Sequence, residues 1–375
     1  MSESSESHYL AIARELGIRP QQVSSAAGLL AEGATVPFIA RYRKELTGSL
    51  DEVVVAAIRE RLSELKALDM RREAVIRSLT EQGVLTEDLS AAVNGARTLP
   101  ELEDIYLPYR PKRRTRAIMA REKGLAPLAD VLFRQEIGTD PQAEAKAFVD
   151  PEKGVENVEQ ALAGARDIVA ERIAEDAEVR AALRALFEKE AQLRSEVYTG
   201  AEEDAATYRD YFNWQEKAAA APSHRILAIF RGNREALLKI SLRPPQDRAL
   251  AVLAGMVLQG KCPCAEQVAL AAEDSYKRLL TPSLENEMKA ALKERADHGA
   301  IAVFARNLRE LLMAPPLGGR RVLAIDPGYR TGGKVVCLDA QGALLHHDVI
   351  YPAASSEKKI EEAGRTLKSL AKRFG

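Results

Sequence analysis

Apolar residues recur at helical spacing through the first two hundred positions of the chain, and the breaks between helices are marked by Gly, Pro and capping residues. Tyr9, Ile12, Ala13 and Leu16 share one face of a helix that Gly17 closes, and Pro20 opens a second helix running to Gly33. A short helix is expected within 34–48, where Phe38, Ile39 and Tyr42 alternate with Arg41, Arg43 and Lys44. Ser49 and Glu52 have capping-box spacing, which predicts a helix start there. The long helix that follows carries Val54, Ile58, Leu62, Leu65, Leu68, Val75, Ile76 and Leu79 as its apolar stripe, with Gly83 as its stop. Thr86 and Thr98 start two further helices, the second helped by Pro100 and Glu101. Helices then resume after Gly124, after Asp140 and from Asn157 to Glu188, with Asp176 as a cap inside the last stretch.

The texture changes near residue 200. Tyr198, Tyr208, Tyr211, Phe212 and Trp214 cluster there, and 223–241 mixes helix and strand patterns. From Pro245 to Leu312 the helical period returns, with interruptions expected at Gly260 and at Thr281-Pro282, and 314–319 reads as a linker. The period then becomes that of strands. An apolar run from Arg321 ends on Asp326 and turns at Pro327-Gly328; runs at 334–338 and 344–351 flank a Gly342 turn and predict a hairpin. A helix over 357–373 closes the pattern. Such a small sheet needs a partner, so it either packs on helices or belongs to a longer chain. The expected organisation is 1–200 helical, 201–318 mixed but mainly helical, and 319–375 the start of an α/β domain.

At 375 residues the chain has room for two or three cores. Its 46% hydrophobic and 29% charged residues are those of an ordinary globular protein. Lys+Arg 54 against Asp+Glu 55 leaves a formal charge of -1, so any nucleic-acid surface must come from local clustering. Three cysteines argue against a disulfide framework and for a reducing compartment. With no signal-like opening and no apolar run of about 18 residues, the expectation is a cytoplasmic protein and no membrane partner.

Clustering occurs at one place above all: Arg110, Lys112, Arg113, Arg114 and Arg116 follow Pro108 and surround Pro111. With Tyr106 and Tyr109 just before it, such a loop suits phosphate contacts and base stacking; alternatively, it is a solvated loop paired with Glu101, Glu103 and Asp104. The 38–44 segment, with Arg41, Arg43 and Lys44, reads either as a recognition helix or, the favoured reading, as an amphipathic helix whose Phe38, Ile39 and Tyr42 pack inward. Asp326 is the one candidate catalytic residue. At a strand end it reads first as a fold feature retained without catalysis; alternatively it could hold a metal as in ribonuclease-H-like nucleases, border a phosphate as in actin-like ATPases, or cap its own turn. No second carboxylate pairs with it in the sequence. Cys262 and Cys264 lack the second pair a zinc site needs and read as structural. His346 and His347 fall on opposite strand faces, and His224 and His298 stand in no catalytic spacing. No cofactor or metal is expected.

The runs 35–44, 102–109 with 111–116, 208–212, 223–225, 276–280 with Pro282-Ser283, and 326–332 resemble the N-terminal half of the bacterial Tex family, transcription accessory proteins related to a eukaryotic elongation factor. The resemblance extends over essentially the whole chain. It implies a mainly α protein: a multi-helical N-terminal region with a helix-turn-helix-like element, followed by an incomplete α/β YqgF domain of ribonuclease-H-like fold. It also implies that helix-hairpin-helix and OB-fold RNA-binding modules follow beyond the chain, and that the YqgF domain is not an active nuclease. Gly333 stands where family members commonly carry Cys, which removes any thiol-dependent role at that position. The leading expectation is therefore a non-enzymatic nucleic-acid-binding scaffold, with RNA favoured over DNA. The alternatives are a metal-dependent nuclease or phosphohydrolase using Asp326, and a docking module for polymerase or ribosome.

Overall fold

The computed structural model describes residues 3–111, 114–328, 332–352 and 356–375. Lys112 and Arg113 of the basic loop, and 329–331 after Asp326, lie outside the described residues. The chain is mainly α, with two three-stranded antiparallel sheets among the described residues. It divides into two compact units, one ending at His298 and the other running from Gly299 to Gly375.

In the first unit, helices Glu3–Leu16, Pro20–Ala31, Val36–Tyr42 and Glu52–Glu81 bury Ile12, Val23, Ile39, Val55 and Ile58 in one cluster. The long helix carries a second cluster on its later turns, where Leu68, Val75 and Leu79 meet Val93, Leu102 and Tyr106. Its start differs from the capping-box expectation. Gly48 and Ser49 both adopt left-handed conformations, φ 63° and 64°, which turns the chain before the helix begins. Asp51 is the cap, its carboxylate accepting the Val54 amide at 2.8 Å. Val55 takes the fully buried place expected for Val54. Thr86, Thr98 and Asp176 cap as the sequence predicts.

The largest core surrounds helix Val158–Glu175, whose Leu162, Ala165, Ile168, Val169 and Ile173 are buried among helices Arg116–Glu122, Ala126–Arg134, Ala177–Glu190 and Pro263–Asp274. Replacing Leu162 by alanine costs about 2–5 kcal/mol in such a core. Thr281-Pro282 does not interrupt this region. A π-helical turn, Ser275–Leu280, leads directly into helix Thr281–Leu312; a wider turn suits a residue that cannot donate a backbone hydrogen bond. The first sheet is built from β1 (Gln192–Val197), β2 (Asn213–Lys217) and β3 (Leu238–Arg243), in the order β2-β1-β3. Its buried residues Leu193 and Leu242 share a cluster with Ile226 and Ile229 of helix Ser223–Arg234.

In the second unit β4 (Val322–Asp326), β5 (Gly333–Leu338) and β6 (Leu344–Ile350) form a meander in that order. Helix Glu357–Phe374 sets Ala363, Leu367 and Leu370 against Val335, Cys337 and Ile350. Gly332 enters β5 at φ 83°, and a Cβ there would lie 2.7 Å from the Tyr351 ring and 3.0 Å from the Ile350 carbonyl oxygen. Only glycine fits both demands.

Candidate nucleic-acid interface

The basic loop leaves helix Leu99–Tyr106 through a 3-10 turn, Leu107–Tyr109, because Pro108 and Pro111 prevent the helix from continuing. Its aromatic flank is packed on the protein to different degrees. Tyr106 is buried, with its hydroxyl 2.8 Å from Ser78 Oγ. Tyr109 packs half-buried on the same cluster. The acids upstream are not the loop's partners either. Glu103 takes both hydrogen bonds of Arg71 at 2.5 and 3.0 Å, Glu101 accepts the Arg97 amide, and Asp104 is buried against Arg180 and Arg184.

What remains of the loop is cationic and open. Arg110 is exposed, with no side-chain partner among the described residues. Arg114 pairs with Glu122 at 2.8 Å, but the side chains are 70% and 52% exposed, so the pair is worth at most about 1 kcal/mol and gives way to a stronger anion. Arg116 opens helix Arg116–Glu122, the end where a cation opposes the helix dipole, so helix stability does not account for it there. It lines a shallow hollow with Lys123 and Asp167. Burial pushes the Asp167 carboxyl up, while Arg278 and Arg116 draw it back.

The N-terminal basic group sits on a different cluster. Thr35 caps helix Val36–Tyr42, and Ile39 and Ala40 face the core. Phe38 and Tyr42 do not pack inward as expected: they are 39% and 64% exposed. The i, i+4 spacing puts their rings side by side at the edge of the face that buries Ile39. Arg41 pairs with Glu52 at 3.0 Å, Arg43 donates to the Tyr42 carbonyl at 2.9 Å, and exposed Lys44 has no side-chain partner among the described residues.

Asp326 ends β4 exposed, opposite Lys334 in the ladder. The acids that follow it are turned to backbone: Asp339 accepts the Gln341 and Ala343 amides, and Asp348 accepts the Val349 amide. Among the described residues no group of three or more His, Cys, Asp or Glu could hold a metal. Cys262 caps helix Pro263–Asp274 through its sulfur, and burial pushes the Cys264 thiol up, away from the reactive thiolate.

Two buried charge clusters had no sequence signal. Asp104 accepts from Arg180 Nε at 2.5 Å and Arg184 Nη2 at 2.7 Å, while Arg184 also pairs with Glu287. Glu285 accepts from the Leu242 amide, Arg243 and Lys289. Both join elements far apart in the chain.

Comparison with known proteins gives these features a context. A family model for the Tex-like protein N-terminal domain matches residues 6–80, one for the Tex central region matches 136–304, and one for the Tex protein YqgF-like domain matches 320–375. Protein YhgF of Escherichia coli is 44% identical over 93% of the chain and 46% of its own length. The transcriptional accessory protein Tex of Neisseria gonorrhoeae is 41% identical over 91% of the chain and 45% of its own length. The human S1 RNA-binding domain-containing protein 1 is 27% identical over 95% of the chain and 37% of its own length. The chain thus spans about half the length, or less, of the curated relatives it matches.

Proposed function

The chain belongs to the Tex family through its N-terminal, central and YqgF-like regions, and from that premise we propose that it is a nucleic-acid-binding transcription accessory protein that acts as a scaffold and not as a catalyst. The observation that carries this reading is the open cationic loop, with Arg110 unpaired among the described residues, Arg114 only surface-paired and Arg116 at a helix end that disfavours it. RNA is the favoured ligand, supported by the name of the human relative. Helices Pro20–Ala31 and Val36–Tyr42, joined by the turn at Gly33, are the two arms of the helix-turn-helix-like reading. A cytoplasmic location and contacts with polymerase or ribosome belong to the same proposal. Among the described residues, no helix is long and apolar enough to cross a membrane.

The loop acts through phosphates. Changing Arg110, Arg114 and Arg116 together to Glu should abolish or strongly weaken an RNA mobility shift, for all sequences alike. An unchanged shift removes the loop from any role in binding. The absence of catalysis has its own test in the full-length protein, incubated with RNA or DNA and magnesium or manganese. No metal-dependent cleavage is expected; cleavage that disappears in Asp326→Asn would assign a catalytic role to that carboxylate and contradict the scaffold reading.

A further inference from the structure

Helix Val36–Tyr42 turns two aromatic rings to solvent beside its basic residues. Phe38 and Tyr42 lie with ring centroids 5.6 Å apart and an interplanar angle of 44°, and the Arg43 guanidinium sits over the Phe38 ring at 4.9 Å. Their exposure is not forced by a lack of core, since Ile39 and Ala40 of the same helix are buried. Two exposed rings forgo the stabilisation their burial would bring, so a binding role accounts for them better than packing does. Arg43 puts positive charge on the rings, Lys44 follows it at the same end of the helix, and Arg41 is held only by an exposed pair with Glu52.

We propose that Phe38 and Tyr42 form a base-stacking platform for single-stranded RNA, with Arg43 and Lys44 taking the flanking phosphates. The proposal rests on the nucleic-acid reading above and adds what that reading lacks, since beside the basic loop Tyr106 is buried and Tyr109 half-buried. Three features favour a nucleic-acid strand over a protein partner. The rings are adjacent and presented at the surface, every base offers a π-face to such rings, and the cations beside them complement a phosphate backbone. A duplex keeps its bases stacked on one another and offers the platform nothing.

The test uses the full chain and four probes: a short unstructured RNA strand, the DNA strand of the same sequence, the paired RNA duplex, and the RNA strand with abasic positions. In Phe38→Ala/Tyr42→Ala the affinity for the intact RNA strand should fall at least about fivefold. The slope of log affinity against log salt should stay as in the parent, because every phosphate-binding cation is still present. Affinity for the abasic strand and the duplex should not change. Phe38→Tyr and Tyr42→Phe, which keep both rings, should bind as the parent does. Equal affinity of parent and alanine variant for the intact strand overturns the platform, as does an equal loss on the abasic strand, and tighter binding of the DNA strand overturns the choice of RNA. The two readings fail differently. If the parent binds RNA and loses it on reversal of Arg110, Arg114 and Arg116 while the alanine variant binds normally, only the platform falls; if the parent binds no RNA, both fall.

Discussion

Asp104 shows how a residue's role depends on partners that lie far from it in the chain. From the sequence it reads as one acid of a local cluster beside the basic loop, yet its side chain is 5% exposed and shared between two arginines. Burying charges is unfavourable unless each is satisfied, and removing Asp104 takes from Arg180 its nearest carboxylate and leaves Arg184 with Glu287 alone. Asp104→Ala should therefore destabilise the protein by about 3–5 kcal/mol, read as a lower denaturant midpoint at unchanged slope. A loss under about 1 kcal/mol would mean that water reaches the arginines. Phe38 and Tyr42 make the complementary point. Their spacing correctly indicates a shared helix face, but periodicity alone does not say which face the core covers.

At the scale of elements, most of the helices and all of the second sheet were legible, because caps, prolines and apolar periods act over a few residues. Thr86, Thr98 and Asp176 each cap where a short polar residue precedes an apolar run. Ser49 misled because two consecutive left-handed residues moved the helix start to Asp51, and Thr281-Pro282 misled because a π-helical turn absorbed the proline. Glu285 links β3 to helix Thr281–Leu312 and had no such local signature. Burial raises its carboxyl, but hydrogen bonds from Lys289, Arg243 and the Leu242 amide outweigh that and hold it below the ordinary glutamate range. A depressed folded-state value contributes stability that is present above the unfolded glutamate's titration and is lost as pH falls through the folded one. Unfolding free energy should thus decline as pH drops below about 4.5, and Glu285→Gln should flatten that decline while lowering stability at neutral pH by about 1–3 kcal/mol. An acid dependence identical in the variant would show that other carboxylates set it.

For the whole molecule, the mainly α architecture and the family were readable from long motifs, because a family pattern extends over residues that no single physical rule connects. The candidate site was legible only in part. The basic residues at 110–116 and 41–44 could be found by charge alone, but the described ones rest on separate packing clusters, and which aromatic rings were free had to come from the fold. A net charge of -1 is compatible with nucleic-acid binding because exposure, and not the total, decides which cations meet phosphate. Asp326 ends β4 exposed, and Asp339 and Asp348, further along the sheet, are turned to backbone amides.

Whether the cationic loop grips nucleic acid is decided by RNA affinity, measured by anisotropy across a salt series for the full chain and for Arg110→Glu/Arg114→Glu/Arg116→Glu. A loop that binds phosphates requires weaker binding in the variant at every salt concentration and a flatter log–log plot, the slope falling by roughly 0.7 for each phosphate of a single strand that the variant no longer neutralises. Superimposable plots for parent and variant would contradict it.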